Sequence, residues 1–143
     1  MDDVVRASIF NRVAKEGYAR KLGIKLIELK PGYAIVEMVS HKDDTNIFGM
    51  VHGGAIFSLM DEAFQVSCNS HGTVAVALSV NVVYHNPPEG RKKLRAESRE
   101  IHCSQKTATY EIKVKDENGN LIASCQALAY RKKDKLPFLD DKS

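Results

Sequence analysis

No apolar run in this 143-residue chain approaches the ~20 residues that a membrane-spanning helix needs, so no membrane partner is expected. The first residues, Met1-Asp2-Asp3, are acidic rather than signal-like. Cysteine is scarce: Cys68, Cys103 and Cys125 are odd in number and widely spaced. That argues against a disulfide framework and for a reducing compartment, here the cytoplasm. Charge of one sign is also lacking. Lys and Arg number 21 against 18 Asp and Glu, a net +3, too weak to imply nucleic acid. His41, His71, His85 and His102 show no metal-ligand spacing, and Cys68-x-x-His71 is a weak signal by itself. Neither a metal nor a cofactor is expected. Repeats, linkers and low-complexity segments are absent, so residues 1–143 read as one domain able to bury its own core.

What is present has an order. The N-terminal segment, 1–20, carries Val5, Ile9, Val13 and Ala14 among charges, the spacing of an amphipathic helix over Val4 to Arg20. Ile24 to Leu29 and Tyr33 to Val39 alternate around Pro31-Gly32 and read as an antiparallel hairpin. His41 to Gly49 lacks a pattern and is expected to be a loop. An apolar segment follows, stopped by Asn69-Ser70-His71-Gly72, with Gly72 the natural left-handed cap. Thr73 to Tyr84 is almost uncharged and is expected to be a central strand covered on both faces. Lys93 to His102, Thr107 to Lys115 and Leu121 to Tyr130 read as three more strands, the last two joined through Asn118-Gly119, a strong hairpin signal. The tail, 132–143, is charged and expected to fray.

The stretch from Asn46 to Asp61 holds the chemistry. Gly53 and Gly54 let the backbone approach something closely. After them, Ala55, Ile56, Phe57, Leu59, Met60, Ala63, Phe64, Val66 and Cys68 cover nearly every side of a helix, which is expected to be buried all round. Asp61 breaks that pattern, and an unpaired carboxylate is seldom kept inside a protein without a use. It shares a face with Gly54, Phe57, Ser58, Gln65 and Cys68 at 100° per residue. The first amides of the helix, near Gly53 and Gly54, lack intrahelical acceptors and carry partial positive charge. A polarised carbonyl above a carboxylate able to attack or activate water is the equipment of an acyl-transfer hydrolase.

The pattern Asn46-x-x-Gly-x-x-His52-Gly53-Gly54, with Leu59-x-Asp61 and Cys68-Asn69-Ser70 after it, resembles the hot-dog-fold acyl-CoA thioesterases. It is most similar to the branch that hydrolyses phenylacetyl-CoA (PaaI-type), over roughly Leu22 to Arg131. The resemblance implies an α+β fold in which an antiparallel sheet wraps round one long central helix. It implies hydrolysis of an aromatic acyl-CoA, phenylacetyl-CoA or a ring-hydroxylated relative, as in phenylacetate catabolism. Asp61 would be nucleophile or general base, and the Gly54 amide the oxyanion donor. It implies supporting roles for His52 and Asn46, with Gly53, Phe57 and Ser79 or Asn81 against the substrate. Dimers, often paired into tetramers, are implied, with each active site between subunits.

Other readings compete. Asp61 is also readable as a structural carboxylate, His52 as the residue that closes the loop, and Asn46 as a turn residue. Ala77 competes with Ser79 for one position on its strand. Cys68 is read as a small buried hydrophobe rather than a nucleophile. Arg91-Lys92-Lys93 and Arg131-Lys132-Lys133 are either solvated surface or contacts for CoA phosphates. A thioesterase for medium- or long-chain fatty acyl-CoA is the alternative enzyme, and an acyl-CoA-binding regulator without activity the alternative class. Geometry argues independently for a shared site. Seven residues of helix put Gly54 and Asp61 roughly 10 Å apart, whereas one thioester needs both groups within about 3 Å of its reacting atoms.

Overall fold

The computed structural model describes residues 1–139. Its largest apolar segment decides the architecture. Helix α3, Gly53–Cys68, buries Ala55, Ile56, Leu59, Met60, Ala63, Phe64 and Val66, too much apolar surface for any partner but a broad sheet. That sheet has six strands: β1 Lys25–Lys30, β2 Tyr33–Val39, β3 Thr73–Tyr84, β4 Lys93–Cys103, β5 Thr107–Asp116 and β6 Leu121–Lys135. They pair in the order β1-β2-β4-β5-β6-β3, and every pairing is antiparallel. The helix packs mainly on β2, β4 and β5. Alternate residues Ala34, Val36 and Met38, Leu94 and Ala96, and Tyr110, Ile112 and Val114 close the core beneath it, as period-two strands dictate. The Phe64 and Tyr110 rings meet edge to face at 5.4 Å. This is the hot-dog arrangement, a sheet wrapped round a helix.

Four expectations need correction. The N-terminal helix is two helices, α1 Asp3–Lys15 and α2 Gly17–Leu22, separated by Glu16 in an extended conformation. Glu16 turns its side chain onto α3, and Gly17 offers little resistance to a break. The helix α3 ends at Cys68, where the Asn69 side chain holds the Gln65 carbonyl and both backbone groups of Ala75. Gly72 does adopt a left-handed φ of 91°, but to enter β3, not to cap the helix.

Strand β3 is not central. It lies at the edge of the sheet, bonded only to β6, with Val76, Leu78, Val83 and Tyr84 exposed. Apolar composition cannot distinguish a strand covered within its chain from one whose cover lies outside it. The charged tail, finally, does not fray from Arg131. Strand β6 runs on to Lys135 because Arg131 and Lys135 pair with Ala75 and Thr73, and Leu136 is buried behind it. Residues 140–143 lie outside the described residues. No described helix is long and apolar enough to cross a membrane.

Leu59, fully buried in α3, measures how much the helix–sheet contact stabilises. Leu59→Ala is expected to cost about 3 kcal/mol, read from urea unfolding. A loss below about 1 kcal/mol would mean that the contact is not the centre of the core.

Candidate active site

Helix α3 is not buried all round. Its sheet side is closed, while Gly54, Phe57, Ser58, Asp61 and Gln65 follow one another along a stripe that is open or half-open in the single chain. The expected site residues fall into two groups along that stripe.

The first group surrounds the N-terminus of α3. Backbone bridges Thr45↔Val51 and Met50↔Glu89 shape the preceding loop. The Asn46 side-chain oxygen accepts from the amides of Phe48 and Met50 at 2.9 and 3.1 Å, so Asn46 organises the loop as an Asx turn. Its amide nitrogen is left to face outward contacts. His52 is the N-cap. Its Nδ1 accepts from the Gly54 amide at 2.8 Å, which makes the ring neutral with its proton on Nε2. The amide expected to hold an oxyanion is therefore covered by an exposed imidazole, and a substrate oxygen would replace that cap. Gly53, at the first helical position, has no intrahelical acceptor for its N–H. Tyr84 was not anticipated. Its hydroxyl donates to the Gly53 carbonyl at 3.1 Å, and a Cβ on Gly53 would stand 3.4 Å from the ring. Its place at the end of a strand gave no signal in the sequence.

The second group lies two turns further on, round a cavity of about 330 Å³ lined by Glu16, Tyr18, Ile24, Phe57, Ser58, Asp61, Glu62 and Gln65. Asp61 is exposed rather than buried in the single chain. Partial burial, and then the Glu16 carboxylate, still raise its pKa. The buried carboxyl is its neighbour Glu62, 6% exposed. One residue round the helix is 100°, enough to put Asp61 on the open stripe and Glu62 against the protein. The Gln65 amide donates to both Glu62, at 2.7 Å, and Glu16, at 2.8 Å. Burial, the hydrogen bond with Glu16 and the charges of Glu16 and Asp61 push the Glu62 pKa up to about 9. Burial and its acidic neighbours thus favour the neutral form of Glu62. The signal that could have found it is Glu16, which the broken helix brings opposite.

Ser79 and Asn81 join neither group. Val80 and Val82 pack towards the core, so alternation along β3 sends Ser79 and Asn81 to the opposite face, where both are exposed. Ala77, at a bulge beside Ser79, is exposed as well. Burial raises the Cys68 thiol to about 12, which leaves it the small hydrophobe expected. His71, Glu100 and Cys103 bring ligand-type atoms within 4.8 Å of one another. Glu100 already accepts from His71 at 2.8 Å and Tyr110 at 2.7 Å. These bonds outweigh burial and hold its carboxyl below the usual range, the behaviour of a satisfied hydrogen-bond hub. Of the basic runs, Arg91, Lys92 and Lys93 are exposed, and Arg131 is tied to the Ser104 carbonyl at 2.7 Å.

The chain matches the thioesterase superfamily over residues 48–123. It is 31% identical to the acyl-coenzyme A thioesterase PaaI of Escherichia coli, over 79% of this chain and 81% of that protein. It is 41% identical to a protein of Archaeoglobus fulgidus whose name carries the word esterase, over 81% of this chain and 75% of that one. The solved structure of the E. coli PaaI protein from the phenylacetic acid degradation operon superposes with a TM-score of 0.88, at 26% identity, covering 92% of this chain and 96% of that one.

A neutral buried carboxyl makes a pH-dependent contribution with a definite sign. Because the folded-state pKa of Glu62 lies above the ordinary 4.5, its contribution is intact below that pH and is lost as pH climbs towards 9. Glu62→Gln keeps the neutral hydrogen-bonding shape. It is expected to match the wild type near pH 4.5 and to exceed its melting temperature by about 5 °C at pH 9. Parallel melting profiles would show that Glu62 is already charged in the folded protein.

Proposed function

This chain belongs to the thioesterase superfamily, and from that premise we propose that it hydrolyses an aromatic acyl-CoA, phenylacetyl-CoA or a ring-hydroxylated relative. The observation that carries the reading is the open stripe of α3, with uncommitted and displaceable amides at one end and Asp61 two turns away. The amides of Gly53 and Gly54 would take up the charge that develops on the thioester oxygen. The neutral His52 ring would swing off Gly54 as that oxygen arrives, and the free Asn46 amide nitrogen would steady substrate or water. Asp61 would either attack the thioester carbon itself or take the proton of an attacking water. In the first route the carbon–sulfur bond breaks as a mixed anhydride with Asp61 forms and CoA leaves as its thiolate. Water then hydrolyses the anhydride to the acid and the Asp61 carboxylate. In the second, water adds to the carbon, the carbon–sulfur bond breaks, and the proton taken by Asp61 passes to the departing sulfur. A carboxyl with a raised pKa is the better base of the two settings available to an aspartate.

Hydrogen-bond accounting round the cavity supports a ring bearing a hydroxyl. Ser58 Oγ donates to the Gly54 carbonyl at 2.8 Å, so the Tyr18 hydroxyl, 2.9 Å from Ser58 Oγ, is the donor of that pair. Both protons of the Gln65 amide are engaged by Glu16 and Glu62. The wall therefore presents acceptors, which a phenolic hydroxyl satisfies and an alkyl chain does not. The exposed Arg91 and Lys42 line a groove with His41 and Gly49 beside the Asn46 loop, a suitable place for CoA phosphates.

Two half-sites on one helix fit a dimer. The edge β3, with its exposed Val76, Leu78, Val83 and Tyr84, would pair with the same strand of a second copy about a two-fold axis. Each site would then combine Gly54 of one subunit with Asp61 of the other.

Asp61→Asn is expected to lower kcat for phenylacetyl-CoA at least a hundredfold while the melting temperature holds. A variant keeping more than about a tenth of the activity would place the base or nucleophile elsewhere. Subunit mixing tests the sharing. Asp61→Asn and Gly54→Pro subunits, each inactive, should together regain about half a dimer's activity, because one site of each hybrid is intact. Hybrids that form and remain inactive would assign each site to one chain.

A further inference from the structure

The cavity beside Asp61 has one wall that does not come from the helix or the sheet. Glu16, Gly17 and Tyr18, where α1 breaks into α2, cross α3 and are fastened to it at both ends. Glu16 is held by Gln65 at 2.8 Å, and Tyr18 is held by Ser58 at 2.9 Å. Ser58 and Gln65 are seven residues apart and therefore on one face of α3, with Asp61 between them. Gly17, midway, has nothing within 4 Å of where a Cβ would be. The segment spans the cavity as a strap. Phe57 and Ile24 supply the apolar sides, and Tyr18 lines the same cavity.

We propose that this strap, through the Tyr18 ring, sets the length of acyl group the enzyme accepts. The proposal rests on the reading of the cavity as the acyl pocket. At about 330 Å³ the cavity lies at the small end of ligand pockets, with room for a ring or a short chain. Tyr18 is 60% exposed, so removing its ring opens the cavity towards solvent rather than into the core. A longer chain then leaves through the gap, its added methylenes lying along Phe57 and Ile24. A larger ring closes the pocket earlier. Tyr18 lies two residues after the break at Glu16, near the start of α2.

Tyr18→Ala and Tyr18→Trp test the wall in opposite directions. The measured quantity is the ratio of kcat/KM for decanoyl-CoA to that for butanoyl-CoA. It is expected to rise roughly tenfold in Tyr18→Ala, the gain of burying about two further methylenes, and to fall in Tyr18→Trp. The same ratio is read a second time without turnover, as equilibrium binding of S-decyl-CoA and S-butyl-CoA thioethers to the Asp61→Asn protein with each Tyr18 variant. A binding ratio that shifts while no acyl-CoA is hydrolysed would uphold the wall and overturn the thioesterase reading. Ratios unchanged in both variants by both readouts, or no thioether binding at all, would overturn the wall.

Discussion

The burial of one side of α3 against the sheet is the constraint on which everything else depends. Leu59, Met60, Ala63 and Phe64 are all but sealed from solvent, and side chains of this size leave a helix little freedom to rotate in its groove. Turning α3 by one residue would bring Glu62 to the open side and Asp61 into the core. The packing therefore chooses which of two adjacent carboxyls meets solvent and which is buried within the protein. Chemistry at the site is fixed by a hydrophobic contact on the far side of the helix.

The N-terminus of the same helix is fixed by different means. Its position follows from the sheet side, but its amides are arranged by polar contacts: Asn46 closing its loop, His52 Nδ1 on Gly54, and Tyr84 on Gly53. Tyr84 belongs to β3, so the edge strand contributes to the N-terminal end of the helix as well as exposing an apolar margin. Assembly through that edge and order at the helix N-terminus would thus be linked. The Glu16–Tyr18 strap adds a third element, joined to α3 by polar contacts and exposed at Tyr18, where change is cheapest in stability. On the proposed reading, a rigid helix face with a replaceable wall would let the acyl group vary without repacking the core.

Much of this was legible in the residues. The alternation of β2, the Asn-Gly turn before β6 and the Gly-Gly entry to an apolar segment are local signals, and local signals suffice to define elements. The motif from Asn46 to Asp61 was legible for the same reason, since all its members lie on one loop and one helix. That its members fall into two groups along α3 also followed from the rise of a helix. Cys68 was read correctly because apolar neighbours on a helix predict burial.

What only the tertiary structure decided has one physical cause: it depends on groups distant in sequence. The break at Glu16 follows from carboxyl and amide partners on α3, roughly fifty residues away. The extension of β6 follows from Thr73 and Ala75, and the edge position of β3 from the order in which other strands pair. Glu62 is buried, with Gln65 and Glu16 closing round it. The capping of Gly54 by His52 depends on a rotamer, not on a residue type. By itself the sequence determined most of the elements, the helix on which the candidate residues lie and the family to which the chain belongs. The tertiary structure decided which faces are covered and which carboxyl is buried, because burial and hydrogen bonding are properties of neighbours in space.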